Sequence, residues 1–190
     1  MSEQRDRIFA AASKESLAAC VLLEMAYWLG WRRGELLGLR VEGVSIADET
    51  VRIETSKNGE PRECALTSTL AAMLQQLISG RGKDELVFPF DKDEWKYIWT
   101  RIRKAAGCQD MIFHDFRRSS ARDKRNAKMD QGTIMSMQGW KTDAMFRRYG
   151  IVTVADQREA LRAMERQTRT GDGQNGQFPA APTGNTTPSA

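Results

Sequence analysis

The sequence predicts a mainly α-helical protein with one small three-stranded antiparallel β-sheet. Two observations carry this reading. Apolar residues recur at helical spacing on both sides of a central block, and only inside that block, from Val44 to Leu66, does the period fall to two. Within it, Asn58-Gly59 is the dipeptide that best fits a tight hairpin turn between two alternating runs.

In chain order, residues 1–12 carry little pattern. A helix is expected from Ser13, with Ser13 as its N-cap and Leu17, Val21, Met25, Trp28 and Leu29 on one face, ending at Gly30. Arg32 and Arg33 stand at the junction to a short apolar helix carrying Leu36, Leu37 and Leu39, with Glu35 a natural partner for one of the arginines. Taken alone, the arginine pair reads as solvated charge. The strands are Val44–Ala47, Val51–Thr55 and Arg62–Leu66, and Lys57 stands at the tip of the second hairpin, where an exposed turn lysine is the plain expectation. From Ser68 a helical stripe of Leu70, Met73, Leu74, Leu77 and Ile78 runs to Gly80. After a loop, a helix is expected from about Asp93 to Ala106, with Trp95, Ile98, Trp99 and Ile102 on one apolar face, so its tryptophans should fill core.

A further helix begins near Phe113 and places His114 and Arg117 one turn apart on one face. Short helices follow Asp130, through Ile134 and Met135, and Thr142, through Met145 and Phe146. Val154 to Gln167 reads as one more helix, with Ala155, Ala160, Leu161 and Met164 as its apolar side. Beyond it the Gly-, Pro- and Thr-rich residues 170–190 have the composition of a disordered tail.

Composition bounds the partners. The 190 residues suit one domain, here residues 1–169 with a core of about 13–167, and the net charge is only +4. From Arg101 to Tyr149 there are 12 Lys/Arg against 5 Asp/Glu, so positive charge gathers there, as on a surface that meets a polyanion. Cys20, Cys64 and Cys108 form no paired motif, and with a single histidine no metal-ligand set is expected. Neither a signal peptide nor an apolar run long enough for a bilayer is visible, and a reduced, cytoplasmic setting is expected. No GxxxxGK[ST] or GxGxxG loop is present, which weighs against nucleotide hydrolysis and leaves no cofactor expected.

Five short motifs, taken together and in order, resemble the tyrosine recombinase (phage integrase) family, specifically its catalytic domain, over about Ser13 to Gln167. Leu29-Gly30-Trp31-Arg32-Arg33-Gly34-Glu35-Leu36 is similar to the TGxRxxEL box, with Leu29 in place of its Thr. Lys57 falls on the hairpin lysine, His114-Asp115-Phe116-Arg117 on the HxxR box, Gly139-Trp140-Lys141 on the GH(K/S) box, and Tyr149, nine residues after Trp140, on the nucleophile. The resemblance implies the integrase-like catalytic core, a DNA breaking-rejoining fold. It also implies cleavage of double-stranded DNA through a 3′-phosphotyrosyl link, without metal or ATP.

The implied roles are specific. Arg32 and Arg117 would hold non-bridging phosphate oxygens, and Lys57 would protonate the leaving 5′-oxygen. His114 would assist the proton on the tyrosine, and Trp140 would donate to the phosphate or pack under Tyr149. Trp140 stands where most members have histidine, which leaves His114 as the only imidazole. Arg118, Arg122, Lys124, Arg125 and Lys141 are candidates for DNA phosphates, each weighed against an ordinary solvated charge. The helix after Tyr149 is expected either to dock on a neighbouring protomer, in the tetramer the resemblance implies, or to pack on its own domain. About thirty residues precede Arg32, so the family's N-terminal core-binding domain is expected to be absent. Two alternatives stay open: a type IB topoisomerase-like enzyme with the same arginine–lysine–tyrosine chemistry, and a DNA-binding remnant without turnover.

Overall fold

A 12-residue helix that is buried almost all round is the centre of the fold. The structure, a computed structural model, describes residues 2–54, 61–148 and 154–171. The elements are helices α1 (Ser2–Glu15), α2 (Leu17–Trp28) and α3 (Arg33–Leu37), strands β1 (Val44–Ser45), β2 (Thr50–Ile53) and β3 (Arg62–Ala65), and helices α4 (Ser68–Ile78), α5 (Lys92–Ala105), α6 (His114–Asn126), α7 (Gln131–Gln138), α8 (Asp143–Arg147) and α9 (Val154–Gly171). The chain divides after Gly150, and α9 is described by itself.

Helix α2 is the central one. Ala18, Ala19, Val21, Leu22, Leu23, Met25 and Ala26 are all buried, because α1, α4 and α6 pack around it. Its N-cap is Ser16, whose Oγ accepts the Ala19 N–H at 3.1 Å. This corrects the expected start at Ser13. The residues before it are a helix of their own, α1, whose Ile8 and Ala12 are fully buried with Phe9 packed beside them. Tyr27 Oη accepts from Arg5 Nη1 at 2.7 Å and donates to Asp123 Oδ2 at 3.1 Å, tying α1, α2 and α6 together.

The sheet has the order β1-β2-β3, antiparallel throughout, with Val51 opposite Cys64 and Ile53 opposite Arg62. Its strands are shorter than the alternating runs suggest. The expected hairpin tip with Lys57, Asn58 and Gly59 lies outside the described residues. Helix α4 starts at the Thr67 cap, and Asp91 and Glu94 close a capping box at the head of α5. Trp95 and Trp99 are buried and meet Phe113 edge-on, so they do fill core. The segment before β1 is stitched to the 81–90 loop by Val41 N–H to Glu85 O and Val87 N–H to Leu39 O, at 2.9 and 2.8 Å.

Helix α7 begins at Asp130, whose Oδ2 accepts the Thr133 N–H, and ends at Gly139 in the left-handed region. Thr142 occupies the N-cap position of α8, but its side chain makes no capping bond. Helix α9 runs four residues beyond the expected Gln167, with Val154, Leu161 and Met164 exposed. Residues 170 and 171, expected to open the tail, are the last two of α9, and the rest of the expected tail, 172–190, lies outside the described residues. Among the described residues no helix is long and apolar enough to cross a membrane.

Helix α6 explains one misplaced expectation. Its inward face carries Phe116, Arg117, Ser120, Ala121 and Lys124. Lys124 is only 9% exposed, and its Nζ donates to Ser120 Oγ at 3.0 Å. That location does not suit the phosphate contact expected of Lys124. Burial pushes its ammonium pKa down from 10.5 to about 8, helped by Arg117. A lysine whose folded pKa lies below its unfolded one weighs against folding below about pH 8 and sheds that burden as the pH rises towards 10.5. A depression of this size corresponds to about 3 kcal/mol. Lys124→Met is therefore expected to raise the urea midpoint at pH 7, and the gap to the parent should shrink when the titration is repeated near pH 10. A lower midpoint at pH 7 would contradict this account of Lys124.

Candidate active site

Arg32 is fixed from both sides of its backbone. Trp31 is buried, and its Nε1–H donates to the Met137 carbonyl at 3.0 Å, which pins the start of α3 to the end of α7. The Arg32 N–H donates to Glu35 Oε2 at 2.8 Å, half of a capping box at the head of α3. Its Nη1 donates to Glu35 Oε1 at 2.9 Å, while the side chain stays 27% exposed. Sequence reasoning named Glu35 as a local partner, and the structure gives it a second one. Arg62 Nη2 reaches Glu35 Oε2 at 2.7 Å. Burial alone would push the Glu35 carboxyl up, but the Arg32 N–H and the two guanidiniums outweigh it and hold the group below the usual carboxylate range.

Arg117 is 3% exposed. Its Nη1 donates to the Gly30 carbonyl at 2.6 Å, and its guanidinium lies over the Trp140 ring at 5.2 Å. Gly30 has φ +70°, and a Cβ there would sit 2.7 Å from Gln138 Cδ. Only glycine fits that position, and its backbone turn aims the carbonyl at Arg117. Gln138 is fully buried, and its Nε2 donates to the Arg117 carbonyl at 3.4 Å. Trp140 is buried with Ala121 and Ile134 and meets Phe146 at 6.2 Å.

His114 is the first residue of α6 and is exposed. Partial desolvation lowers its imidazole pKa from 6.5, and Arg117, Arg118 and Arg32 lower it further against the pull of Asp115. Arg32, His114 and Arg117 thus share one electrostatic field. That downward shift favours the neutral imidazole, the form that can accept a proton.

The other expected phosphate contacts divide. Arg118 is exposed and paired to Asp115 at 3.1 Å, and Arg122 is paired to Asp123 at 2.9 Å. Lys141 is exposed and Arg125 partly so. Lys57 and Tyr149 lie outside the described residues. Sequence reasoning missed Arg62 and Gln138. Arg62 was legible as an arginine two residues from Cys64 on a strand, on the face that Val51 and Ile53 bury.

The chain is 25% identical over 170 residues to the shufflon-specific DNA recombinase of Escherichia coli, covering 88% of this chain and 43% of that one. It is 26% identical over 153 residues to tyrosine recombinase XerA of Saccharolobus solfataricus, covering 80% of this chain and 51% of that one. The chain therefore spans about half the length of the curated relatives it matches. Among solved structures, a XerA recombinase superposes with a TM-score of 0.69 at 19% identity, covering 89% of this chain and 62% of that one. A lambda integrase dimer bound to a COC′ core site gives 0.62 at 19% identity, covering 79% and 49%. These superpositions show the integrase-type catalytic fold. The sequence model of the phage integrase family matches residues 1–156, and the chain belongs to that family.

Proposed function

We propose that this chain is the catalytic domain of a site-specific DNA recombinase, which cleaves and rejoins strands by transesterification at Tyr149. The observation that carries the reading is the shared field of Arg32, Arg117 and His114, held by buried partners in a member of this family. In the proposed step the Tyr149 oxygen attacks a DNA phosphorus, and a bond to the 3′-phosphate forms as the bond to the 5′-oxygen breaks. The phenolic proton passes to an acceptor, for which the neutral His114 imidazole is suited. The leaving 5′-oxygen takes a proton from Lys57. A 5′-hydroxyl then reverses the sequence, and the phosphotyrosyl link conserves the bond energy without a nucleotide.

Arg32 and Arg117 would meet the charge that grows on the non-bridging oxygens. Arg32 has exposed surface for this, and Arg117 is already oriented by Gly30 and Trp140. Loss of one such preorganised donor typically costs about 3 to 4 kcal/mol of barrier. Trp140 then supports Arg117 with its ring face. Double-stranded DNA is the proposed substrate, with Arg118, Arg122, Arg125 and Lys141 as backbone contacts. Assembly into a tetramer on DNA is proposed by likeness to a lambda integrase tetramer bound to a Holliday junction, at a TM-score of 0.63.

Incubation with nicked suicide duplexes that carry the cognate site tests the reading. A protein–DNA adduct that survives denaturant and is lost in Tyr149→Phe is expected, and Arg117→Ala should slow its formation by roughly a hundredfold or more. No adduct on a verified site would overturn the assignment. His114 offers a second check. Its NMR titration midpoint should fall below 6.5, so it draws on stability as the pH drops through that value. Arg118→Gln should raise the midpoint by removing a cation and freeing Asp115. A midpoint at or above 6.5 in the parent would contradict the shared field.

A further inference from the structure

Arg62 belongs to none of the five motifs, yet it touches two of the segments that build the site, the 29–36 box and the Gly139 turn. Its Nη2 reaches Glu35 Oε2 at 2.7 Å, with side-chain exposures of 10% for Arg62 and 6% for Glu35. Its guanidinium lies over the Trp31 ring at 5.0 Å. It also fills the space where a Cβ on Gly139 would sit, immediately before Trp140. In sequence it stands five residues after Lys57, on the strand that leaves the hairpin.

From these contacts we infer that Arg62 is a positioning residue, which balances the Glu35 carboxylate so that Arg32 keeps its positive charge for a phosphate. Glu35 is nearly buried and bonded to both guanidiniums. With Arg62 present, the group of Arg32, Glu35 and Arg62 carries one net positive charge, and its exposed member is Arg32. Without Arg62, Glu35 cancels Arg32 and is free to draw both of its forks inward. In a site with little water such cancellation acts at short range and weak screening. Arg62 commits Nη2 to Glu35 and lies against the Trp31 ring and the Gly139 turn, so its charge meets Arg32 through Glu35. The geometry therefore assigns it an effect through Glu35 on Arg32.

If Arg62 acts by balancing charge, removing Glu35 should repair the loss of Arg62. The inference rests on reading Arg32 as a phosphate ligand, so one arm of the test needs no DNA. Inorganic phosphate is titrated into the parent chain, Arg62→Met, Arg62→Lys and Arg62→Met/Glu35→Gln, with His114 ring signals as the readout and thermal melts alongside. Arg62→Met is expected to weaken phosphate binding by roughly fivefold or more, since one unit charge is lost at close range. Arg62→Lys should bind within about twofold of the parent, and Arg62→Met/Glu35→Gln should recover most of the loss whatever its melting temperature. In the second arm, single-turnover adduct formation at saturating suicide duplex should follow the same order, with at least a roughly tenfold drop in Arg62→Met.

The inference is overturned if Arg62→Met binds phosphate as the parent does. It is equally overturned if the double variant is no better than Arg62→Met, which would make Arg62 packing for Trp31. A parent whose His114 signals ignore phosphate also overturns it. A parent that binds phosphate but forms no adduct sinks the strand-cleavage reading alone, and the phosphate arm then decides the role of Arg62.

Discussion

A buried guanidinium must be met by acceptors, and at Arg117 the decisive one is the Gly30 carbonyl at 2.6 Å. A charge taken from water without such partners costs several kcal/mol, so this bond constrains everything near it. It joins the C-terminal end of α2, the most buried helix, to the first turn of α6. Because α2 is enclosed by α1, α4 and α6, its end cannot drift, and Arg117 inherits that rigidity. The left-handed φ of Gly30 aims the carbonyl, and Gln138 closes over it. The motif Gly30-Trp31-Arg32 thus has two structural duties beyond supplying Arg32. Gly30 orients Arg117, and Trp31 fastens α3 to α7 through the Met137 carbonyl.

The cations of the site are held in graded ways. Arg117 sits deep, between the Gly30 carbonyl and the Trp140 ring. Arg32 sits nearer the surface, where Glu35 grips one edge of its fork. Arg62 holds the other oxygen of that carboxylate, Oε2, and is nearly buried. This layering lets two positive groups stand close without a bulk counter-ion, since one buried carboxylate is shared between Arg32 and Arg62. The His114 pKa is lowered first by partial desolvation, and Arg117, Arg118 and Arg32 add to the shift by opposing a further charge.

Much of this was legible in the sequence, for physical reasons that differ by residue. Period two between Val44 and Leu66 located the sheet, and apolar stripes located α4 and α5, because both patterns report burial directly. Helix α1 escaped because its buried stripe is thin, with Ile8 and Ala12 among charged neighbours. Lys124 was misjudged by charge alone. Its spacing of seven from Arg117, with Ser120 and Ala121 between, puts it on the inward face of α6, and that spacing was readable. Arg62 and Gln138 are polar residues at inward positions. Periodicity marks such positions as core, but the partners that make the burial tolerable come from segments distant in sequence, such as Glu35 for Arg62 and Arg117 for Gln138. Those pairings arise only from the packing.

On the proposed mechanism the two arginine boxes act as one unit because Gly30 orients Arg117. The measurement that meets it most directly compares chemistry with affinity in Gly30→Ala, on one suicide duplex, for a variant shown by circular dichroism to be folded. The single-turnover rate at saturating duplex is expected to fall by roughly tenfold or more while the dissociation constant moves by less than about threefold, since orientation matters in the transition state more than in binding. A folded Gly30→Ala chain that cleaves at the parent rate would contradict it.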